Sequence, residues 1–465
     1  MSANLGSRGE PWGLAAGCGI AATLGVALFW GFTVDDALVT ARVAWRIANG
    51  LGYRFNATGP VVDAVTPLGW VYFLVPFAKT SPLVALFAAR CLGAALWIAA
   101  AAWCGFMLSR DGKRMNCATG LLMAAPFGAW ASAGMETGLV VALCTVALGE
   151  SWGATLAAAM AAALRPELLP FCMVLGIRQG YCQVDRKASG APRVGAIIGL
   201  FACVAFVRHI VFGRVMPLAA LAKPSDLEHG VRYACGALFL LGPTWPWLGP
   251  GWKQLDVKAR WFAAAVVVHL LSVALAGGDW MPLWRLALPA MPAAFWVTSC
   301  LLSLRRSLLQ NIGGVLAMVT IAYVGVAVGV PGRHVMQARL ELIREVAPLL
   351  KGAKLVAGLD VGWLGVAARN DIMDLAGTTD PRIALIPGGH TTKKIPNSWF
   401  DSLKPDALVL LLAPGESVAP NWSESRFARG VENRVSALEY WQGCTVRGQV
   451  PLKFTRQFYI VVRCD

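Results

Sequence analysis

Charged side chains are scarce in this chain of 465 residues. Asp, Glu, Lys and Arg make up 14% of it, against about 25% in soluble domains. With 57% hydrophobic residues and a mean hydropathy of +0.58, that scarcity argues against a soluble globular enzyme and excludes a disordered chain. Histidine is rarer still. The five (His209, His229, His269, His334 and His390) are scattered without ligand spacing. No Cys-x-x-Cys pair exists either, so no zinc site is expected. A Gly-rich phosphate loop at a strand–helix junction is also missing, which speaks against nucleotide-sugar or ATP use. Internal repeats and low-complexity segments are absent.

What the chain has in abundance is long apolar runs, most of them near membrane-spanning length. They lie near 12–32, 66–79, 82–108, 117–131, 138–177, 194–211, 231–249, 261–277, 285–304 and 312–330. The net charge of +15 (41 basic minus 26 acidic residues) does not form one patch, so nucleic-acid binding explains it poorly. Basic residues instead cluster in short loops between the runs: Arg110–Arg114, 178–193, 253–260 and Arg305-Arg306. Read as cytoplasmic loops, they place 33–65, 212–230, the Gly277–Trp284 turn and everything after about 331 on the outer side. The first run is taken as a retained helix, not a cleaved signal. The run 66–79 is re-entrant or interfacial, and 138–177 holds one or three crossings. The expected fold class is thus a multi-spanning α-helical membrane protein of about 9 to 11 spans. It covers residues 1–330, and an outer-side α/β domain covers 331–465. In that domain Lys354–Leu359, Ala407–Leu412 and Phe458–Val462 read as strands, and Val335–Leu350 and Trp363–Ala368 as helices. Ten of the twelve cysteines fall in or beside apolar stretches, as small buried hydrophobes. Cys444 and Cys464 alone lie in the outer domain. A hairpin between Val446–Val450 and the last strand would bring them together, and a disulfide is expected there.

The segment richest in chemistry is 33–70. It runs Thr33-Val34-Asp35-Asp36-Ala37, through Arg42, Arg46, Asn49-Gly50 and Asn56, to Asp63-Ala64-Val65-Thr66-Pro67-Leu68-Gly69-Trp70. Two adjacent acids begin a helix that stops at Gly50. At about 100° per residue, Asp35, Arg42, Arg46 and Asn49 share one stripe and Ala37, Ala41, Ala44, Ile47 and Ala48 the other. Such a helix lies along the outer membrane surface, its arginines meeting lipid phosphates. Elsewhere the charges inside or beside apolar runs draw notice, because they are costly in a membrane. They occur in Gly134-Met135-Glu136-Thr137, Leu164-Arg165-Pro166-Glu167, Arg208 with Phe212-Gly213, Pro217 and Lys223, and Gly277-Gly278-Asp279-Trp280-Met281-Pro282 with Arg285 and Pro289. Being two apart, Arg165 and Glu167 do not share a helix face, and Pro166 breaks the local ladder, so they are read as lining a polar cavity.

In their order, these motifs resemble GT-C-type glycosyltransferases that use polyprenyl-phosphate sugars, above all the actinobacterial terminal arabinofuranosyltransferases and their bacterial relatives. Asp360-Val361-Gly362 and Asp374 to Pro381 resemble that family's soluble-domain pattern. This chain has Asp63-Ala64 where the family usually has Glu-Gly, and Pro67 follows Thr66 directly. The resemblance implies an enzyme of the plasma membrane, multi-pass, that moves a sugar from a polyprenyl-phosphate donor to a glycan or lipid acceptor of the cell envelope on the outer face. Asp35 or Asp36 is then the general base, with Asp35 favoured because it shares a stripe with the arginines. Arg208, Lys223 and Arg285 are candidates for the phosphate. Arg42, Glu136, Arg165, Glu167 and Asp279 are further substrate-binding candidates, each with a structural alternative as counter-ion, cap or cavity lining. No cofactor is assigned, and a divalent cation bound by Asp35 or Asp36 stays open, since carboxylates suit such ions. The competing functions are a transporter or flippase of a lipid-linked saccharide and a non-catalytic assembly protein.

Overall fold

The computed structural model describes residues 11–112, 128–181, 190–223, 225–241, 245, 248–303, 315, 319, 322–368 and 370–464. The longer helices and the strands follow in chain order: α1 (Pro11–Leu28), α2 (Asp35–Ala48), α3 (Leu68–Leu74), α4 (Pro82–Arg110), α5 (Thr137–Ala147), α6 (Trp152–Leu164), α7 (Leu169–Tyr181), α8 (Ala191–Phe212), α9 (Leu218–Ala222), α10 (Leu227–Leu241), α11 (Val257–Leu275), α12 (Met291–Ser303), α13 (Val335–Leu349), β1 (Leu355–Gly358), α14 (Val361–Ala368), β2 (Asp371–Asp374), α15 (Pro381–Ala384), α16 (Asn397–Leu403), β3 (Ala407–Leu411), α17 (Gly430–Ser436), β4 (Thr445–Leu452) and β5 (Gln457–Arg463). The chain divides into two compact units. One holds Met1–Phe32, Arg90–Val204 and Ser225–Arg333; the other holds Thr33–Ala89, Ala205–Pro224 and His334–Asp465.

Among the described residues, three helices are long and apolar enough to cross a membrane: α4, α8 and α11, of 29, 22 and 19 residues. At 1.5 Å per residue each reaches about 28 Å or more, close to the hydrocarbon thickness of a bilayer. The run 138–177 is three separate pieces, α5, α6 and α7, of 11, 13 and 13 residues, each too short to span alone at about 20 Å or less. The run 66–79 gives only the 7-residue α3 and a following 3-10 turn. Most of the run 117–131, part of the run 312–330, the basic residues Lys113, Arg114, Arg186, Lys187, Arg305 and Arg306, and Cys117 and Cys182 lie outside the described residues.

Packing in the first unit relies on small side chains. Gly138 of α5 sits so close to Gly93 of α4 that an added Cβ would overlap the Gly93 backbone. Such contact lets apolar helices approach without large knobs, the usual device where no hydrophobic force drives helices together. Cysteines deviate from expectation: Cys104, Cys144, Cys172 and Cys300 are buried, whereas Cys91, Cys203 and Cys235 are exposed. The exposed three lie on outward faces of apolar helices, where Phe87, Phe206 and Val231 are exposed as well.

Of the segments read as outer-side, 33–65, 212–223 and the C-terminal part belong to the second unit, whereas 225–230 and the Gly277–Trp284 turn belong to the first. The core of the second unit is a five-stranded sheet ordered β2-β1-β3-β5-β4. Strands β2, β1 and β3 run parallel, β5 runs antiparallel to β3, and β4 antiparallel to β5. Every residue of central β3 is buried, which explains its unbroken apolar sequence Ala-Leu-Val-Leu-Leu. The expected strands and helices are found within three residues of their read bounds, while β2 was not foreseen. The β4–β5 hairpin forms, and the Cys444–Cys464 disulfide closes its open end. At the outer edge of the sheet, the Asn56 amide donates to Ile372 O (2.8 Å) and accepts from Ile372 N (2.9 Å). The side chain thus stands in for a missing neighbour strand.

Candidate functional site

Helix α2 begins and ends where its sequence says, with Asn49 as C-cap and Gly50 at φ +78. Its polar stripe, however, does not face lipid phosphates. Arg42 and Arg46 are 1% and 4% exposed, and α2 packs on α14, which Asp35 and Arg42 contact. Asp35 accepts the backbone N–H groups of Gly362 (2.6 Å) and Trp363 (3.0 Å) at the N-terminus of α14. Arg42 donates from Nε to Phe55 O (2.9 Å) and through its other nitrogens to Gly365 O and to Asn370 O (2.5 Å), at and beyond the far end of that helix. An acid at the positive end and a base at the negative end suit the helix dipole at both termini. Asp35 is therefore a cap for a helix 327 residues away, and Arg42 is spent on carbonyls. The N-terminus after the first strand of a parallel sheet is where phosphates often bind; here Asp35 takes that place.

Around Asp35 the polar groups form a chain of contacts. Burial pushes its carboxyl up to about 6, with Arg339 and the two N–H groups opposing and Asp360 adding to the shift. Asp360, just before α14, receives Arg429 Nη2 (2.8 and 3.1 Å) and Tyr459 Oη (2.5 Å). Against the cost of burial, Arg429 and Arg339 hold Asp360 below the ordinary carboxylate range. Arg429 precedes α17, whose Val431 N–H donates to Thr391 O at 2.8 Å. Next to Thr391 stands His390, whose ring makes no hydrogen bond among the described residues. Burial first, then the positive charge of Lys223, lowers His390 to about 4, against the pull of Asp36. This group lies beside the carboxyl ends of β1 and β3, where the connections leaving those two strands run to opposite sides of the sheet; in open α/β sheets that crevice is the habitual ligand site.

Asp36 differs from its neighbour. It is half-buried, and its carboxylate accepts no hydrogen bond and forms no ion pair among the described residues. Lys223, at the end of α9, is likewise half-buried and without an ion-pair partner among them. Arg208, by contrast, is buried and bonded to Asp63 and to Thr66 O (2.5 Å). Burial raises Asp63 to about 6 in spite of Arg208. Arg208 thus has a carboxylate partner 145 residues away that the sequence did not announce.

The first unit gathers the other five candidates. Arg165 joins Glu136 (2.5 Å) and Glu167 (2.8 Å). Arg285 joins Asp279 (3.0 Å) and lies over the Trp130 ring at 5.2 Å. Arg165 and Glu167 meet at the break in the apolar run that Pro166 was expected to make. Arg165 is extended, at φ −134 and ψ 98, and Pro166 starts a 3-10 turn, so the 100° rule does not apply there. Glu136 stands at the N-cap of α5 without making a capping bond. It is fully buried, and Glu136 Oε2 and Arg285 Nη1 have no hydrogen-bond partner among the described residues.

Among the described residues, no three His, Cys, Asp or Glu side chains gather as a metal site, and both Asp35 oxygens are taken by N–H groups. Sequence reading missed His390, Arg429 and Tyr459; the glycine pair Gly388-Gly389 ahead of a lone histidine was the one local signal. The chain matches no known family model, no curated protein and no solved structure.

Proposed function

We propose that this chain is a multi-spanning glycosyltransferase of GT-C type. In this reading it transfers a sugar from a polyprenyl-phosphate donor to an envelope glycan or lipid acceptor at the outer face of the plasma membrane. The observation that carries the reading is Asp36: a half-buried carboxylate with no partner among the described residues, on a helix held by capped contacts at its neighbour Asp35. A general base needs a free lone pair and a fixed position, and Asp36 has both, whereas Asp35 is engaged as a cap. In the reaction, Asp36 takes the proton of the acceptor hydroxyl as its oxygen bonds to the anomeric carbon. The bond from that carbon to the phosphate oxygen breaks, and the electron pair leaves with polyprenyl phosphate. The three apolar helices long enough to span support a membrane setting for a donor with a lipid tail. The order of the motifs in 33–70, 134–137, 164–167, 208–223 and 277–289 supports the reaction class.

The test is transfer of radiolabelled sugar from a polyprenyl-phosphate donor by protein reconstituted in nanodiscs. Transfer that is lost in Asp36→Asn and kept in part in Asp35→Asn is the expected result. Movement of the intact lipid-linked saccharide across a vesicle bilayer without transfer would replace this reading by that of a flippase.

A further inference from the structure

Resting on that reading, we propose that Lys223 and His390 form the phosphate end of the donor site whose base is Asp36. Three basic side chains were candidates for that role by sequence, and two of them are committed. Arg208 is bound to Asp63 and Arg285 to Asp279. Lys223 alone has no carboxylate within ion-pair distance among the described residues.

Backbone contacts carry Lys223 toward His390. Helix α9, which ends at Lys223, packs on α15. From α15 the chain curls through Gly388, at φ +107, to His390. The curl is held from inside by Lys393, which is fully buried and donates to the carbonyls of Ala384 (3.1 Å), Ile386 (2.8 Å) and Gly388 (3.3 Å). On its other side the segment is pinned to α17 through Thr391 O and through Lys393 O, which accepts from Arg434 at 3.0 and 3.2 Å. The loop is therefore built rigidly, yet the ring of its histidine is left without a hydrogen bond among the described residues.

The chemistry fits a phosphate. Lys223 supplies a point charge. His390 is kept neutral by burial and by the nearby cations, so it can offer one ring N–H to a phosphodiester without adding charge. With a phosphate bound, its negative charge would favour uptake of a solvent proton by the ring, which is a binding effect and not a step of the transfer. Asp36, felt electrostatically at the same ring, marks where the acceptor approaches. No step beyond the transfer already written is added; the two residues bind and stabilise the leaving group.

The experiment uses full-length protein in nanodiscs with ¹⁵N-labelled histidine, the His390 resonance being assigned through His390→Gln. A short-chain prenyl monophosphate and inorganic phosphate are titrated separately. The expected result is a saturable shift of His390 with the prenyl phosphate, a rise of its titration midpoint by more than one pH unit, and at least tenfold weaker binding in Lys223→Ala, with partial recovery in Lys223→Arg. Inorganic phosphate is expected to shift the same resonance with lower affinity, since it lacks the tail. No shift with either probe overturns the assignment, as does unchanged affinity in both His390→Gln and Lys223→Ala. The two readings fail separately. If the prenyl phosphate binds as expected but no sugar is transferred, the phosphate site stands and the transferase reading falls. If transfer occurs with wild-type kcat/KM in both variants, the transferase reading stands and the phosphate site falls.

Discussion

The molecule treats its charges in two ways. In the apolar unit, Arg165 is enclosed by Glu136 and Glu167, and Arg285 faces Asp279. In the unit with the sheet, Asp36 and Lys223 are left unpaired among the described residues, although Asp35, Arg42, Asp63 and Arg208 beside them are matched. The lesson is that unusual placement alone does not mark a working group. A charge in apolar surroundings must be compensated to exist at all, so its partner is a condition of folding. A charge kept uncompensated at a half-exposed position is one that folding does not need.

This contrast can be broken by four measurements. The largest effect is expected for Asp36→Asn, which should cut transfer by about 10²- to 10⁴-fold, the range for loss of a general base, with unchanged thermal stability. Equal transfer by the variant would remove the distinction between the two kinds of charge. Next comes Arg165→Leu, which strands fully buried Glu136. It should destabilise the protein by about 3–5 kcal/mol, read as an earlier thermal unfolding or loss of monodisperse protein on sizing. Adding Glu136→Gln and Glu167→Gln should return most of that loss. Removing the hairpin bridge with Cys444→Ser should cost the sheet unit about 2–4 kcal/mol. Recovery of alkylated Cys444 and Cys464 from the unreduced wild type would show that the bond does not form. The smallest effect is in pH. His390 is held at about 4 in the folded state, below the usual His value near 6.5. The unfolded chain therefore binds the proton first, and stability is present above pH 6.5 and lost as pH falls through 4. His390→Gln should flatten that part of the acid unfolding curve, and an identical curve would contradict the burial of the ring.

Much of this was legible in local sequence. The bounds of α2 followed from an acidic start and Asn49-Gly50, and β1, β3 and β5 from short apolar runs between turns. The disulfide followed from two cysteines flanking a hairpin. What escaped was long-range pairing. Nothing near Asp35 tells of the N–H groups of Gly362 and Trp363, and nothing near Arg208 points to Asp63. The four residues of β2 begin and end in aspartate, so the alternation of apolar and polar positions was too brief to read. The break at Pro166 was legible, but not that Arg165 would close on Glu136, 29 residues away, as well as on Glu167.

The pairing of α2 with α14 also sets an order of events during synthesis. Asp35 and Arg42 leave the ribosome more than 300 residues ahead of the helix that receives them; the span from Asp35 to Gly362 is 327 residues. At about 5–20 residues per second, the wait is roughly 15–65 seconds. During it the segment bearing Asp36 has no seat, and its two charged anchors remain hydrated. The front of the chain is thus completed last, when its far end arrives, and a chain stopped after Arg333 would keep the apolar helices while never setting Asp36 in place.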